Sequence, residues 1–292
     1  MPSLCPIKIV GNLVFLGHGL KLPTTASWKQ PSGDVPSKQY IDGITLPKIA
    51  GFPKLIPPWF LPQNPHTYHF DACDKVGKFF KDLHDGMLDA VKFAHDLWRL
   101  QAKFQNLQVM ACCAIGTPGC LDGPKLEPLI KMAPSCAAWT GNMAKYRDAV
   151  AKGVSDAFYN WQSMVMVPGL PWYPAFAAFP GPMAPPMPNI PMPLIACPSA
   201  RIADIVAPMT MKQGMIGALD SGLKKDDEDK QHEALFMSIA TVLSMAFVMW
   251  LPMQQVSLVM GMGPIPTFAP PFVPVGPVVS GNNLPTPGSL MT

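Results

Sequence analysis

Apolar residues recur every three or four positions between residues 71 and 111, a stretch without proline. This spacing gathers them on one face of an amphipathic α-helix, whose opposite face carries the charged residues. At 1.5 Å per residue such a helix is about 60 Å long. The predicted apolar face consists of Val76, Phe80, Leu83, Met87, Val91, Ala94 and Trp98.

A second helical pattern extends from about Glu127 to Val167, and Pro134 predicts a kink or a restart within it. The segment between the two patterns, CCAIGTPGCLDGPKLEP, is rich in Gly and Pro. Two long helices joined by such a turn predict an antiparallel helical hairpin over residues 66–167.

Residues 234–251, ALFMSIATVLSMAFVMWL, carry no charge. As a helix they are about 27 Å long, just short of a hydrocarbon core of roughly 30 Å, so a membrane span remains an alternative. No Lys or Arg follows to anchor the far end, which disfavours a span. Met245, Met249 and Met253 share one face and suit the gaps between packed helices. We therefore expect this helix to form the core of an oligomer.

The remaining segments are rich in proline, which excludes regular helices and central strands. In residues 1–65, IKIV and NLVFL flank Gly11-Asn12, which predicts a β-hairpin. Residues 168–200 and 261–292 are apolar as well as proline-rich, which predicts extended arms laid across neighbouring subunits. Their predicted assembly contacts, together with the three methionines above, are Trp172, Tyr173, Phe176, Phe179, Phe268 and Phe272.

The predicted fold is mainly α-helical with extended proline-rich arms. It combines a small β-rich N-terminal segment, a long helical hairpin and an apolar C-terminal helix. The predicted divisions are 1–65 (extended or β), 66–167 (hairpin), 168–200 (arm), 201–260 (helical region with the apolar core helix) and 261–292 (arm).

Charge is scarce and unevenly placed. Charged residues make up 14% of the chain, against roughly 25% in an average soluble protein. Residues 157–200 contain no Asp, Glu, Lys, Arg or His, and Glu233 is the only Asp, Glu, Lys or Arg in residues 231–292. Such tracts require a cover of protein or lipid. The net charge of +3, without a dense basic cluster, argues against nucleic acid as a partner.

The sequence contains no motif of a known catalytic or nucleotide-binding loop, so we expect neither an enzyme nor a cofactor. His66 and His69 form an HxxH with Asp71 and Asp74 nearby, a spacing common by chance, and we expect no metal site. Near the predicted turn lie Cys112, Cys113, Cys120 and Cys136. They are candidates for a disulfide staple, the alternative being small buried apolar residues.

The C-terminal quarter resembles structural proteins of tailed bacteriophage particles. The resemblance rests on the apolar helix Phe236–Met260 and on GPIPTFAPPFVPVGPVVSGNNLPTPGSL, from Gly263 to Leu290. It implies a virion protein of the tail or baseplate, packed against copies of itself and other virion proteins. The alternative is a protein of the particle tip that contacts the host membrane and inserts residues 234–251.

Overall fold

The computed structural model describes residues 3–18, 67–227, 230–265 and 278–290. The helices are α1 (Lys8–His18), α2 (Thr67–Gln101), α3 (Leu126–Lys131), α4 (Gly141–Ser163), α5 (Pro174–Ala177), α6 (Ala203–Val206), α7 (Pro208–Ala218), α8 (Ser221–Asp226) and α9 (Gln231–Met253). The strands are β1 (Lys103–Phe104), β2 (Gln108–Met110), β3 (Cys113–Gly116), β4 (Leu121–Asp122), β5 (Val167–Pro171), β6 (Met183–Pro188), β7 (Met192–Pro193), β8 (Gln255–Val256), β9 (Met260–Pro264) and β10 (Gly281–Leu284).

The predicted β-hairpin around Gly11-Asn12 is wrong, because these residues lie within helix α1. Gly11 lets that helix approach the core closely, since a Cβ there would collide with the ring of His84 and with Val242. Lys8 fixes the same helix by an ion pair of 2.8 Å with Asp89 on α2. Most of the rest of the predicted N-terminal segment lies outside the described residues.

The long amphipathic helix is confirmed as α2, which has 35 residues, but it ends at Gln101. The prediction that it continues to residue 111 is wrong, because β1 and β2 lie in the last ten residues of that stretch. Its inward face is buried as the periodicity predicts, at Leu83, Met87, Val91, Ala94 and Trp98. The predicted helical hairpin, however, is wrong. Four short strands, β1 to β4, separate α2 from α3 and α4, and α4 packs mainly against α7 instead of α2.

The chain after α2 forms strands. In β2 and β3 the side chains alternate between buried and exposed, which is the period of a β-strand. Strands β2 and β3 join a six-stranded antiparallel sheet of order β5-β3-β2-β10-β9-β6. Strands β5 and β6 come from the predicted arm 168–200, and β9 and β10 come from the end of the chain. With 52% helix and 18% strand, the fold is not mainly helical with free arms, and that prediction is corrected.

The core lies between α2, α4 and α9. Its centre is a cluster of aromatic rings in which Trp98, Phe158, Phe247 and Trp250 surround His95 at centroid distances of 4.5–6.1 Å. The Trp98 indole donates a hydrogen bond of 2.8 Å to the buried side chain of Gln162. These three helices come from distant parts of the sequence, so the cluster ties residues 67–253 into one packed unit.

Candidate assembly surfaces

The proline-rich arm 168–200 is covered by its own chain. Trp172 is 2% exposed and Phe176 is fully buried. The Trp172 indole donates a 2.9 Å hydrogen bond to the carbonyl of Met187 and packs on Gly261, where a Cβ would meet the ring at 2.8 Å. Trp172 and Phe176 are therefore core residues of this protein, and their prediction as contacts with neighbouring subunits is corrected.

The other predicted contacts of the two arms differ in how far they are exposed to solvent. Phe179 is half-buried against the core, and Tyr173 is half-exposed. Phe268 and Phe272 lie outside the described residues. Of the six aromatic contacts predicted on the arms, Tyr173 is therefore the one that the described residues present to solvent.

Helix α9 is mostly buried inside the protein, at 72% of its most apolar window. By length and composition it is the one described helix that fits a membrane span. Its exposed face is an apolar stripe that contains the three predicted methionines, Met245, Met249 and Met253, together with Val248. We call these four residues the α9 stripe. The structure thus favours burial in protein over a membrane span. Most of the cover comes from the same chain, however, where the core of an oligomer was predicted, and an apolar face is left at the surface.

The N-terminus of α9 is capped by a carboxylate. Asp227 accepts hydrogen bonds from the backbone amides of Gln231 and His232, at 3.0 and 2.7 Å, and contacts the His232 ring. Burial alone would raise the pKa of Asp227, but the two amides and the ring outweigh it and lower that pKa overall. The cap satisfies amides that have no partner within the helix, and it fixes where the apolar helix begins.

The six-stranded sheet buries one face and exposes the other. Its buried face consists of small or apolar groups such as Val109, Ala114 and Ala184. By strand register, the opposite face carries the following residues, which we call the outer sheet face: Gln108, Met110, Cys113, Ile115, Met183, Met260, Met262, Asn282 and Leu284. None of the six strands contains Asp, Glu, Lys, Arg or His. The sheet therefore presents to solvent a surface that carries no charge and is apolar apart from the amides of Gln108 and Asn282.

One row of this face crosses four neighbouring strands. The paired residues run Ile115, Gln108, Asn282 and Met262, so two amides lie side by side between two apolar side chains. An open depression of about 390 Å³ adjoins the amides and is lined by Asn106, Leu107, Gln108, Ser280, Gly281 and Asn282. It offers hydrogen-bonding groups but no acid, base or nucleophile with an activated partner.

Both edges of the sheet are rich in proline. Edge strand β5 contains Pro168 and Pro171, and edge strand β6 contains Pro185, Pro186 and Pro188. Proline has no amide hydrogen to donate to an added strand. The prolines that argued against strands in the sequence are therefore tolerated at the edges, where they also oppose pairing with a further strand.

The four candidate cysteines do not form a staple, because all of them are free thiols. Cys112 and Cys113 are exposed, whereas Cys120 and Cys136 are buried at separate places. The Cys120 thiol donates to the carbonyl of Val165, and burial raises the pKa of that thiol to about 11. Cys120 and Cys136 are thus small buried residues, which was the alternative to a disulfide staple.

No group of three or more His, Cys, Asp or Glu side chains in the described part of the chain is arranged to hold a metal ion. His66 and the side chain of His69 lie outside that part. Comparisons with protein-family models, with curated proteins and with solved structures found no match to this chain. The α9 stripe and the outer sheet face are therefore the features that bear on the function.

Sequence reasoning placed the α9 stripe correctly on one helical face but missed the outer sheet face. The available signal was the alternation of methionine and glycine in MGMGP, residues 260–264, where the glycines are buried and the methionines are partly exposed. Strands of two to six residues give too short a pattern to stand out among prolines.

Proposed function

We propose that this protein is a structural subunit of a virion-type particle, in the tail or baseplate, assembled with copies of itself and other virion proteins. The observation that carries the proposal is the outer sheet face, which extends over six strands without an ionic side chain. Protein surfaces that remain in water normally intersperse charges, whereas contiguous apolar patches mark interaction sites. Cover by neighbouring subunits in an assembled particle meets this requirement.

The α9 stripe supplies a second apolar surface on the same chain. Met245 and Met253 are 40% and 52% exposed, although the rest of the helix is largely buried. A subunit with two different contact surfaces can bind more than one neighbour, and repetition of such contacts builds rings or filaments. Methionine is suited to these contacts because its flexible side chain adapts to the partner surface.

The resemblance to tailed-phage structural proteins also supports a structural subunit. The residues that carry it, from Phe236 to Met260 and from Gly263 to Leu290, include most of α9, three of the five residues of β9 and all of β10. They therefore contribute to both apolar surfaces. We expect no catalytic activity, since the proposal requires only binding surfaces.

The proposal is tested by purifying the full chain and measuring its mass by light scattering in plain buffer and in mild detergent. We expect regular oligomers in plain buffer, visible as repeated shapes by electron microscopy. A protein that stays monomeric at every concentration in both buffers would contradict the proposal.

A second candidate is a membrane-inserting protein of the particle tip that uses residues 234–251. Its supporting observation is the α9 stripe, on a helix that is long and apolar enough to cross a bilayer. Insertion would require this helix to leave a core in which residues such as Phe236 and Leu243 are fully buried. Flotation with anionic and neutral vesicles separates the candidates, because insertion predicts recovery with lipid and subunit assembly does not.

A further inference from the structure

We propose that two copies of this chain associate face to face through the outer sheet face, with Gln108 and Asn282 at the centre of the contact. The inference rests on the proposed function, because it specifies the contact between copies that a structural subunit needs. Two sheets packed in this way lie about 10 Å apart, with side chains from both filling the space between them.

The mode of contact follows from the edges of the sheet. Copies of a sheet can associate by adding strand to strand or by stacking face on face. Successive residues of a strand direct their backbone amides to opposite sides. Prolines 168 and 171 on one edge, and 185, 186 and 188 on the other, therefore leave each edge without part of the amide hydrogens that an added strand would use. Stacking needs no backbone hydrogen bonds, so it remains open to this sheet.

The choice of a second copy follows from the central row of the face. A twofold axis that runs between the two sheets, parallel to the strands, places Gln108 of each copy over Asn282 of the other. Each amide carries both donors and an acceptor, so the two pairs satisfy each other. The same axis places Ile115 over Met262, which is apolar on apolar. Residue i then contacts residue j and j contacts i, as symmetry requires.

The lack of charge also favours a second copy. A charged partner surface would lose hydration on this face without finding an opposite charge, because none of the six strands carries one. The same face of another copy brings no such charge. Contact between two copies therefore removes no charge from water.

The size of the face sets the strength of the contact. Six strands of three to six residues cover about 25 Å by 15 Å, or roughly 400 Å². Stable complexes bury about 800 Å² on each partner, so this contact is weak and reversible by itself. We therefore expect a dimer whose population rises with protein concentration, and larger particles only when further contacts add to it.

The first experiment compares two lysine substitutions by sedimentation velocity over a wide range of concentration. Met110→Lys lies on the outer sheet face, whereas Met132→Lys, the control, lies beyond α3, and the two methionines are 47% and 57% exposed. We expect the dissociation constant of Met110→Lys to rise about a hundredfold or more, because the lysine loses hydration. The control should dimerise like the natural chain. Circular dichroism checks that both variants are folded.

The second experiment uses the natural chain and keeps the proposal testable if Met110→Lys does not fold. Cys113 is an exposed thiol on the outer sheet face, and Cys5, also exposed, precedes α1. Brief treatment with iodoacetamide, followed by peptide mass spectrometry, measures the labelling of each thiol. We expect labelling of Cys113 to fall as protein concentration rises, while labelling of Cys5 stays constant.

The outcomes separate this inference from the proposed function. Oligomers that persist in Met110→Lys, with Cys113 labelled equally at all concentrations, would overturn the inference and leave the structural role standing. A dimer sensitive to Met110→Lys that never grows further would support the inference and count against the structural role. A monomer at all concentrations, or a monomer that binds vesicles through this face, would overturn both.

Discussion

His95 lies at the centre of the core, where protonation would place a positive charge among aromatic rings. It is fully buried, and neither ring nitrogen has a hydrogen-bond partner among the described residues. Burial holds the pKa of His95 well below its usual value, and the nearby Arg99 lowers it further. The folded protein therefore keeps this imidazole neutral at pH values where an unfolded chain protonates it.

The sign and size of the effect follow from proton linkage. The pKa of an unfolded histidine is about 6.5, so above that value neither state binds the proton and stability does not depend on this group. Below it the unfolded state is protonated and the folded state is not, so the free energy of unfolding falls by about 1.4 kcal/mol per pH unit. At pH 4.5 the loss from His95 reaches about 2.7 kcal/mol, provided that the folded state stays neutral.

The assay is urea denaturation between pH 7.5 and 4.5, applied to the natural chain and to His95→Leu. The difference in unfolding free energy between the two should shift by up to about 2.7 kcal/mol over this range in favour of the variant, because leucine does not titrate. Phe158→Leu is the control, since Phe158 contacts the His95 ring but carries no titratable group. Its effect on stability should not depend on pH.

The reasoning would be refuted if the natural chain and His95→Leu lost stability in parallel on acidification. An NMR titration gives an independent reading, because the His95 ring signals of the folded protein should shift only well below the pH at which a free histidine titrates. His84 contributes in the same direction, since burial lowers its pKa, although a hydrogen bond to Asp85 opposes the shift. Its contribution cancels in the comparison of the two chains.

Three further predictions concern stability, each measured by thermal or urea unfolding. Gly153→Ala should cost on the order of 1–3 kcal/mol, because the added Cβ would lie 2.6 Å from a backbone nitrogen of α7. Gly217→Ala, with open space around it, should stabilise the protein by up to about 1 kcal/mol. If the two substitutions changed stability equally, the close contact between α4 and α7 at Gly153 would be contradicted. Asp227→Ala should cost about 1–2 kcal/mol through the lost cap, and an unchanged midpoint would show that the cap is dispensable. Met245→Lys should change the stability of the monomer by about 0.5 kcal/mol or less, whereas the fully buried Leu243→Lys should prevent folding; equal tolerance would show that α9 is not a core helix.

The two long helices, α2 and α9, could be predicted because their signal is local, whereas α1 was wrongly predicted as a β-hairpin. The inward face of α2 recurs at three- and four-residue steps, and the structure buries those residues as expected. The apolar tract of α9 predicted a core helix, and even its stripe at Met245, Met249 and Met253 lies on one face. In both cases the residues that decide the outcome lie within a few turns of one another.

The sheet could not be predicted because its partners are far apart in the sequence. Gln108 pairs with Asn282, and Met183 pairs with Pro264, and no local pattern encodes such pairings. Proline argued against strands throughout, yet the proline-rich strands β5 and β6 fold at the edges, where a missing amide hydrogen costs least. Trp172 and Phe176, two arm residues that were predicted to contact a neighbouring subunit, are buried by residues of the same chain.

The sequence by itself determined where charge is absent and where the two long helices, α2 and α9, lie, because composition and short periodicity are properties of neighbouring residues. Tertiary structure decided which uncharged residues face water. It buried Trp172 under its own sheet and left Met110, Ile115 and Leu284 outside, because strand pairing assigns each side chain to one of two faces. Exposure of an apolar residue depends on its partner strands, and those partners are brought together only when the whole chain folds.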